Sequence, residues 1–206
     1  MSVPQDSPVP QDSAAQRLPY WPVPIVRAVL ALALGVFVTF SQDHSVRLGL
    51  FAFGAFAVLT GAAVVLFGLL RMIDRRVGTV FVIQGLVAIA AGVLALVLNQ
   101  SGVAFLLYLL SVFAALTGFL ELYNGLRMRG RLPEAREWVA AGALTAIAAL
   151  VFVLGPLDSV FAVGVLGAYA VILGVYLAIG GLSLRWSQAS RSAAAAAGSP
   201  SSGSGS

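Results

Sequence analysis

A single carboxylate, Glu121, interrupts the otherwise uncharged run from Ser101 to Leu126. In such a setting a carboxylate can relay a proton or small ion, pair with a buried base or amide, or snorkel to the nearest polar interface. Thr117 and Asn124 stand at i−4 and i+3 and share its helical face, giving a polar stripe Thr117–Glu121–Asn124. Arg127, six residues on, is turned away by about 600° of helix and is a poor direct partner. Partners must come from elsewhere, and Arg27 and Gln84 are the candidates. Only residues 28–40 separate Arg27 from the next polar turn, too few to cross a bilayer. Arg27 therefore lies inside a span, at a depth near that of Glu121. Interfacial snorkelling is the plainer reading of Glu121; the sharper hypothesis is that it meets Arg27 or Gln84 between the hairpins, and a proton or ion relay is the third alternative.

The remaining reactive inventory is thin. His44 sits beside Asp43 in the turn SQDHSVR and is a candidate pH-responsive group, because the ordinary histidine pKa lies where mild acidification acts. A solvated loop histidine is the plain alternative. There is no cysteine and no lysine, and Asp6, Asp12, Asp74 and Glu134 fall in the head or in arginine-rich loops. No Ser-His-Asp grouping, HExxH motif, phosphate-binding glycine loop or paired intramembrane carboxylate can be assembled. Enzymatic activity is not expected, and neither a catalytic residue, a metal site nor a cofactor is assigned.

The segments that must position these residues are built for lipid. Sixty per cent of the 206 residues are apolar and 10% charged, far from the balance of a soluble domain. Six apolar stretches, roughly 22–40, 48–70, 78–98, 103–126, 138–156 and 159–184, each approach the 20 or so residues that cross ~30 Å of hydrocarbon as a helix. Residues 1–20 are proline-rich, with VPQDS given twice, and residues 188–206 are rich in Ala, Ser and Gly; both are expected to be disordered tails. The opening has neither a basic start nor a small-x-small site after the first apolar run, so no cleaved signal peptide is expected.

All twelve basic residues are arginine, and they sort by side. Arg17, Arg27, Arg71, Arg75, Arg76, Arg127, Arg129, Arg131, Arg136, Arg185 and Arg191 fall on one side and Arg47 alone on the other. The positive-inside rule then puts both termini and the two long loops in the cytoplasm. The same rule explains the basic pI without nucleic acid, which is not an expected partner; the bilayer, a membrane-protein partner or a second copy of the chain are. Tyr20, Trp21, Trp138 and Trp186 suit interfacial aromatic belts.

The chain also repeats. Residues 25–40 align with 82–97 at an offset of 57, placing Gly35 on Gly92 and Arg27 on Gln84. Phe56, Thr60, Gly61 and Gly68 fall on Phe113, Thr117, Gly118 and Gly125, and, with one residue dropped, Tyr169, Gly174 and Gly181 continue the series. Three tandem parallel αα-hairpins follow, about 22–72, 78–128 and 138–186, none able to bury its faces alone. The glycine pairs 61/68, 118/125 and 174/181 are seven apart on one helix face and suit close helix packing. Val64 and Leu177 hold the places equivalent to Glu121.

Hairpins of this form, with a glycine in the odd helix, a polar turn and an even helix such as FAVLTGAAVVLFGLLR, resemble the HdeD-type acid-resistance membrane proteins over about residues 22–187. The stretch LGPLDSVFAVGVLGAYAVILGVYLAIGGLSLR is the most alike. The resemblance implies a six-helix bacterial inner-membrane protein connected with acid tolerance, with no catalytic residues to carry over. The sequence thus predicts an all-α polytopic membrane protein of six transmembrane helices. Its expected function is non-enzymatic, in acid or stress tolerance; the competing class is a small transporter or channel that uses Glu121.

Overall fold

The computed structural model describes residues 22–70, 75–130 and 135–197. They form six helices: α1 (Pro22–Phe40), α2 (Val46–Leu70), α3 (Arg75–Val97), α4 (Val103–Arg127), α5 (Ala135–Leu154) and α6 (Ser159–Ala197). No strand occurs among the described residues. All six contain a window long and apolar enough to span a membrane. Helix is the state such segments must take, because hydrocarbon offers backbone N–H and C=O groups no partner outside the segment itself.

Local chemistry stops and starts the helices at the short turns. Asp43 accepts from Ser45 N at 2.9 Å and from Ser45 Oγ at 3.0 Å, while Ser45 Oγ accepts from Leu48 N at 3.3 Å, capping the start of α2. Asp158 does the same for α6, accepting from Phe161 N at 2.7 Å. Beyond α4, Gly130 has φ 83°, a left-handed conformation that a side chain would strain.

The tightest helix pairs are α2 with α3, α4 with α5, and α6 with α1, so each joins two neighbouring hairpins and the last closes the ring. Glycines make these approaches. A Cβ built on Gly61 would lie 2.6 Å from the Gly85 carbonyl oxygen and 2.9 Å from Ile89 N. On Gly118 it would lie 2.9 Å from Ala146 N, and on Gly174 3.0 Å from Leu32 N. Residues 32, 89 and 146 are themselves 57 apart, so one contact recurs three times around the bundle. Small residues permit such close backbones where lipid supplies no hydrophobic drive.

The main apolar core sits toward the end that carries the short turns. Val38, Leu50, Phe53, Leu106, Leu110, Val163 and Leu166 meet there, with Phe53 edge-on to Phe113 at 5.1 Å. Val29, Leu59, Leu86, Leu150, Ile172 and Ile179 face outward, an apolar coat suited to acyl chains.

Two expectations are corrected. The disordered tail was expected from residue 188, yet α6 is helical to Ala197. Its last residues, SAAAAA, combine the best helix former with no glycine or proline before Gly198, so the helix continues past the membrane segment. Trp138 is not at a lipid interface but buried, packed edge-on to Phe81 at 5.3 Å beside Met128 and Ala135. Trp186 is exposed. The proline-rich head, Tyr20, Trp21, Arg17, Arg71, Arg131 and the residues after Ala197 lie outside the described residues.

Candidate functional site

Three helices bring their polar residues to one depth. Counting 1.5 Å per residue, Arg27 lies ~7.5 Å into α1, Gln84 ~9 Å from Gly78 at the start of the third apolar window, and Glu121 ~9 Å before the end of α4. At that level Arg27 Nη2 donates to Glu121 Oε1 at 2.5 Å, and Gln84 Nε2 donates to the same oxygen at 2.8 Å. Glu121 and Gln84 are each 4% exposed, which makes this an intramembrane ion pair reinforced by an amide rather than a surface bridge. Glu121 does not reach the interface.

Helix α5 lets the carboxylate stand where it does. A Cβ on Gly142 would lie 2.7 Å from Leu122 N and 3.0 Å from the Glu121 Cβ, so only glycine lets α4 settle at this height. The other stripe residues share the buried face but bond elsewhere. Thr117 Oγ1 donates to the Phe113 carbonyl at 2.7 Å, and the Asn124 side-chain nitrogen makes no protein hydrogen bond. Arg127 turns outward, as the helical phase requires, donating to Tyr123 Oη and lying 5.7 Å from the centre of that ring.

The cluster borders a small cavity of about 30 Å³ between the hairpins. Its wall includes Arg27, Gln84 and Glu121 together with Thr60, Thr145 and Tyr169. Thr145 Oγ1 donates to the Ala141 carbonyl at 2.8 Å, so its contact with Tyr169 Oη at 2.9 Å has the tyrosine as donor. His44 is not part of this arrangement. It lies in the turn after α1, four residues beyond Phe40, and from Arg27 to Phe40 alone the helix rises ~20 Å.

Thr60, Gly142 and Tyr169 belong to the site yet were not among the residues singled out for it. The repeat spacing was the available signal, since an offset of 57 sets Thr60 on Thr117 and, with one residue dropped, Tyr169 falls on Phe113. Among the described residues no group of three His, Cys, Asp or Glu could hold a metal ion.

Six apolar helices around a buried ion pair define a multi-pass membrane protein. Residues 83–154 match the family model described as a short repeat of unknown function (DUF308). That segment holds Gln84, Glu121 and Gly142 but not Arg27. No curated protein and no solved structure matches the chain.

Proposed function

We propose that the chain is a non-enzymatic membrane protein of the HdeD type that serves acid or stress tolerance through the bilayer or a membrane partner. The observation that carries this reading is the double hold on Glu121. A carboxylate bonded at once by Arg27 from α1 and Gln84 from α3 is a cross-link between helices, since breaking either contact leaves a buried polar group without its partner. The match to the short repeat supports it, that repeat being the domain of HdeD-like membrane proteins. The arginine distribution supports a bacterial inner-membrane location with both termini cytoplasmic.

The test is survival of a deletion strain after an acid shock, with the wild-type chain restored from a plasmid. Loss of survival on deletion, recovered by the wild-type chain, is the expected result. Equal survival of the deletion strain across acid and other envelope stresses would overturn the reading.

One observation favours a second reading, a proton or small-solute transporter. Glu121 Oε2 makes no protein hydrogen bond, and its side chain lines the cavity. Proteoliposomes separate the two: proton flux that Glu121→Gln abolishes, in protein shown to be folded, selects transport, and flux no greater than in empty liposomes selects the cross-link.

A further inference from the structure

Three side chains that line the cavity end in atoms with no hydrogen bond to the protein: Thr60 Oγ1, Gln84 Oε1 and Glu121 Oε2. All three residues are more than nine-tenths buried. Thr60 is the telling one. A threonine in an apolar helix ordinarily returns its proton to the carbonyl four residues earlier, as Thr117 does to Phe113 and Thr145 to Ala141. Thr60 stands one repeat before Thr117 and leaves that bond unmade.

The donor count says what would suit the three atoms. Gln84 Oε1 and an ionised Glu121 Oε2 can only accept, and Thr60 has one proton to give. Water brings two O–H donors for the two acceptors and a lone pair for the threonine proton. The resulting three bonds are the usual number for a buried water, and about 30 Å³ has room for it. A cation would also suit oxygen acceptors, but the Arg27 guanidinium is already in the wall and already serves Glu121.

We propose that this cavity is a water site in which a bound water joins Thr60 to Gln84 and Glu121. The direct contacts tie α1, α3 and α4, and the water adds α2, so that each of the first four helices holds one arm of a single knot. The proposal stands independently of acid tolerance, and its test reads no survival phenotype.

The full chain in lipid nanodiscs is oxidised in two ways, by X-ray radiolysis, which makes hydroxyl radicals from bound water in place, and by peroxide-derived radicals made in bulk. Phe56 and Tyr169, both in the cavity wall, report by mass spectrometry. X-ray labelling of these rings without bulk labelling is expected. Thr60→Val should lose that labelling and Thr60→Ser, which keeps the hydroxyl, should retain it, which separates loss of the site from loss of the fold. No X-ray labelling in the wild type means a dry cavity and overturns the proposal. Equal labelling by both sources overturns it in favour of an open aqueous route. Labelling that sodium or ammonium chloride suppresses and choline chloride does not overturns it in favour of a cation. Unchanged labelling in Thr60→Val removes Thr60 from the site and overturns the knot.

Discussion

The layer of the bundle that holds Glu121 is polar in two hairpins and apolar in the third. Arg27 and Gln84 occupy equivalent places in α1 and α3, where α5 has Ala141; Glu121 in α4 is matched by Leu177 in α6. The third version is an apolar cluster, with Ala141 and Leu177 packed beside Ala28 and Leu173. The same backbone arrangement therefore accepts either filling. In the third hairpin the two places change together, leucine at the carboxylate's place and alanine at the arginine or glutamine place, whereas the first hairpin has Val64 at the carboxylate's place and its Arg27 is matched by Glu121 of the second. Removing one partner of a buried pair leaves a charge without compensation, whereas exchanging the whole set for apolar residues can cost little.

This contrast can be broken most severely at its centre. Glu121→Ala or Arg27→Ala should each lower stability by about 3–5 kcal/mol, read as loss of membrane expression and of thermal stability in detergent. Charge reversal in both, Arg27→Glu with Glu121→Arg, should recover expression lost in either single change. The triple change Arg27→Ala, Gln84→Ala and Glu121→Leu, which copies the third hairpin, should be more stable than either single alanine variant. A triple no better than the singles would show that the polar layer is not a self-contained set. In the opposite sense, Leu177→Glu puts a carboxylate against Ala141 and should cost about 3 kcal/mol in the same assays.

The next effect belongs to the packing that both layers share. Gly118→Val would drive its side chain into the Ala146 backbone, where a Cβ would already lie at 2.9 Å. A loss of about 1–3 kcal/mol is expected from overpacking, seen as a lower unfolding temperature. Smaller again is Tyr169→Phe, which removes the one hydrogen bond to Thr145 and should cost about 0.6 kcal/mol, the mean for such bonds between membrane helices. Gly164→Ala lies at the far end of the series. A Cβ there has nothing within 4 Å, so the change should stabilise α6 by about 0.5–1 kcal/mol through helix propensity alone. If Gly118→Val and Gly164→Ala shifted unfolding alike, close backbone approach would not be what the glycines provide.

Much of this was legible before any coordinates. Spans follow from length and hydropathy, because crossing hydrocarbon requires about 20 apolar residues whatever the neighbours are. The depth of Arg27 followed from the shortness of the apolar run after it, and the outward turn of Arg127 from helical phase. The fate of Trp138 was not legible, since an aromatic near a helix end reads the same whether lipid headgroups or Phe81 lies beside it. The reach of α6 to Ala197 was misjudged because composition flagged a low-complexity tail where local propensity favours helix.

The division between sequence and tertiary structure is one of distance along the chain. Periodicity, length and charge are properties of single segments and their immediate neighbours, so the helices, the repeat and the singularity of Glu121 needed no partner to be seen. Which helices press together, that Gly142 makes room for the carboxylate, and that Thr60, its hydroxyl unbonded, lines the same cavity as Glu121 are relations between segments far apart in sequence. Only the closed ring of six helices decides them, because a hydrogen bond or a close backbone approach is settled within a few ångströms across an interface, and spacing along one chain does not measure that gap.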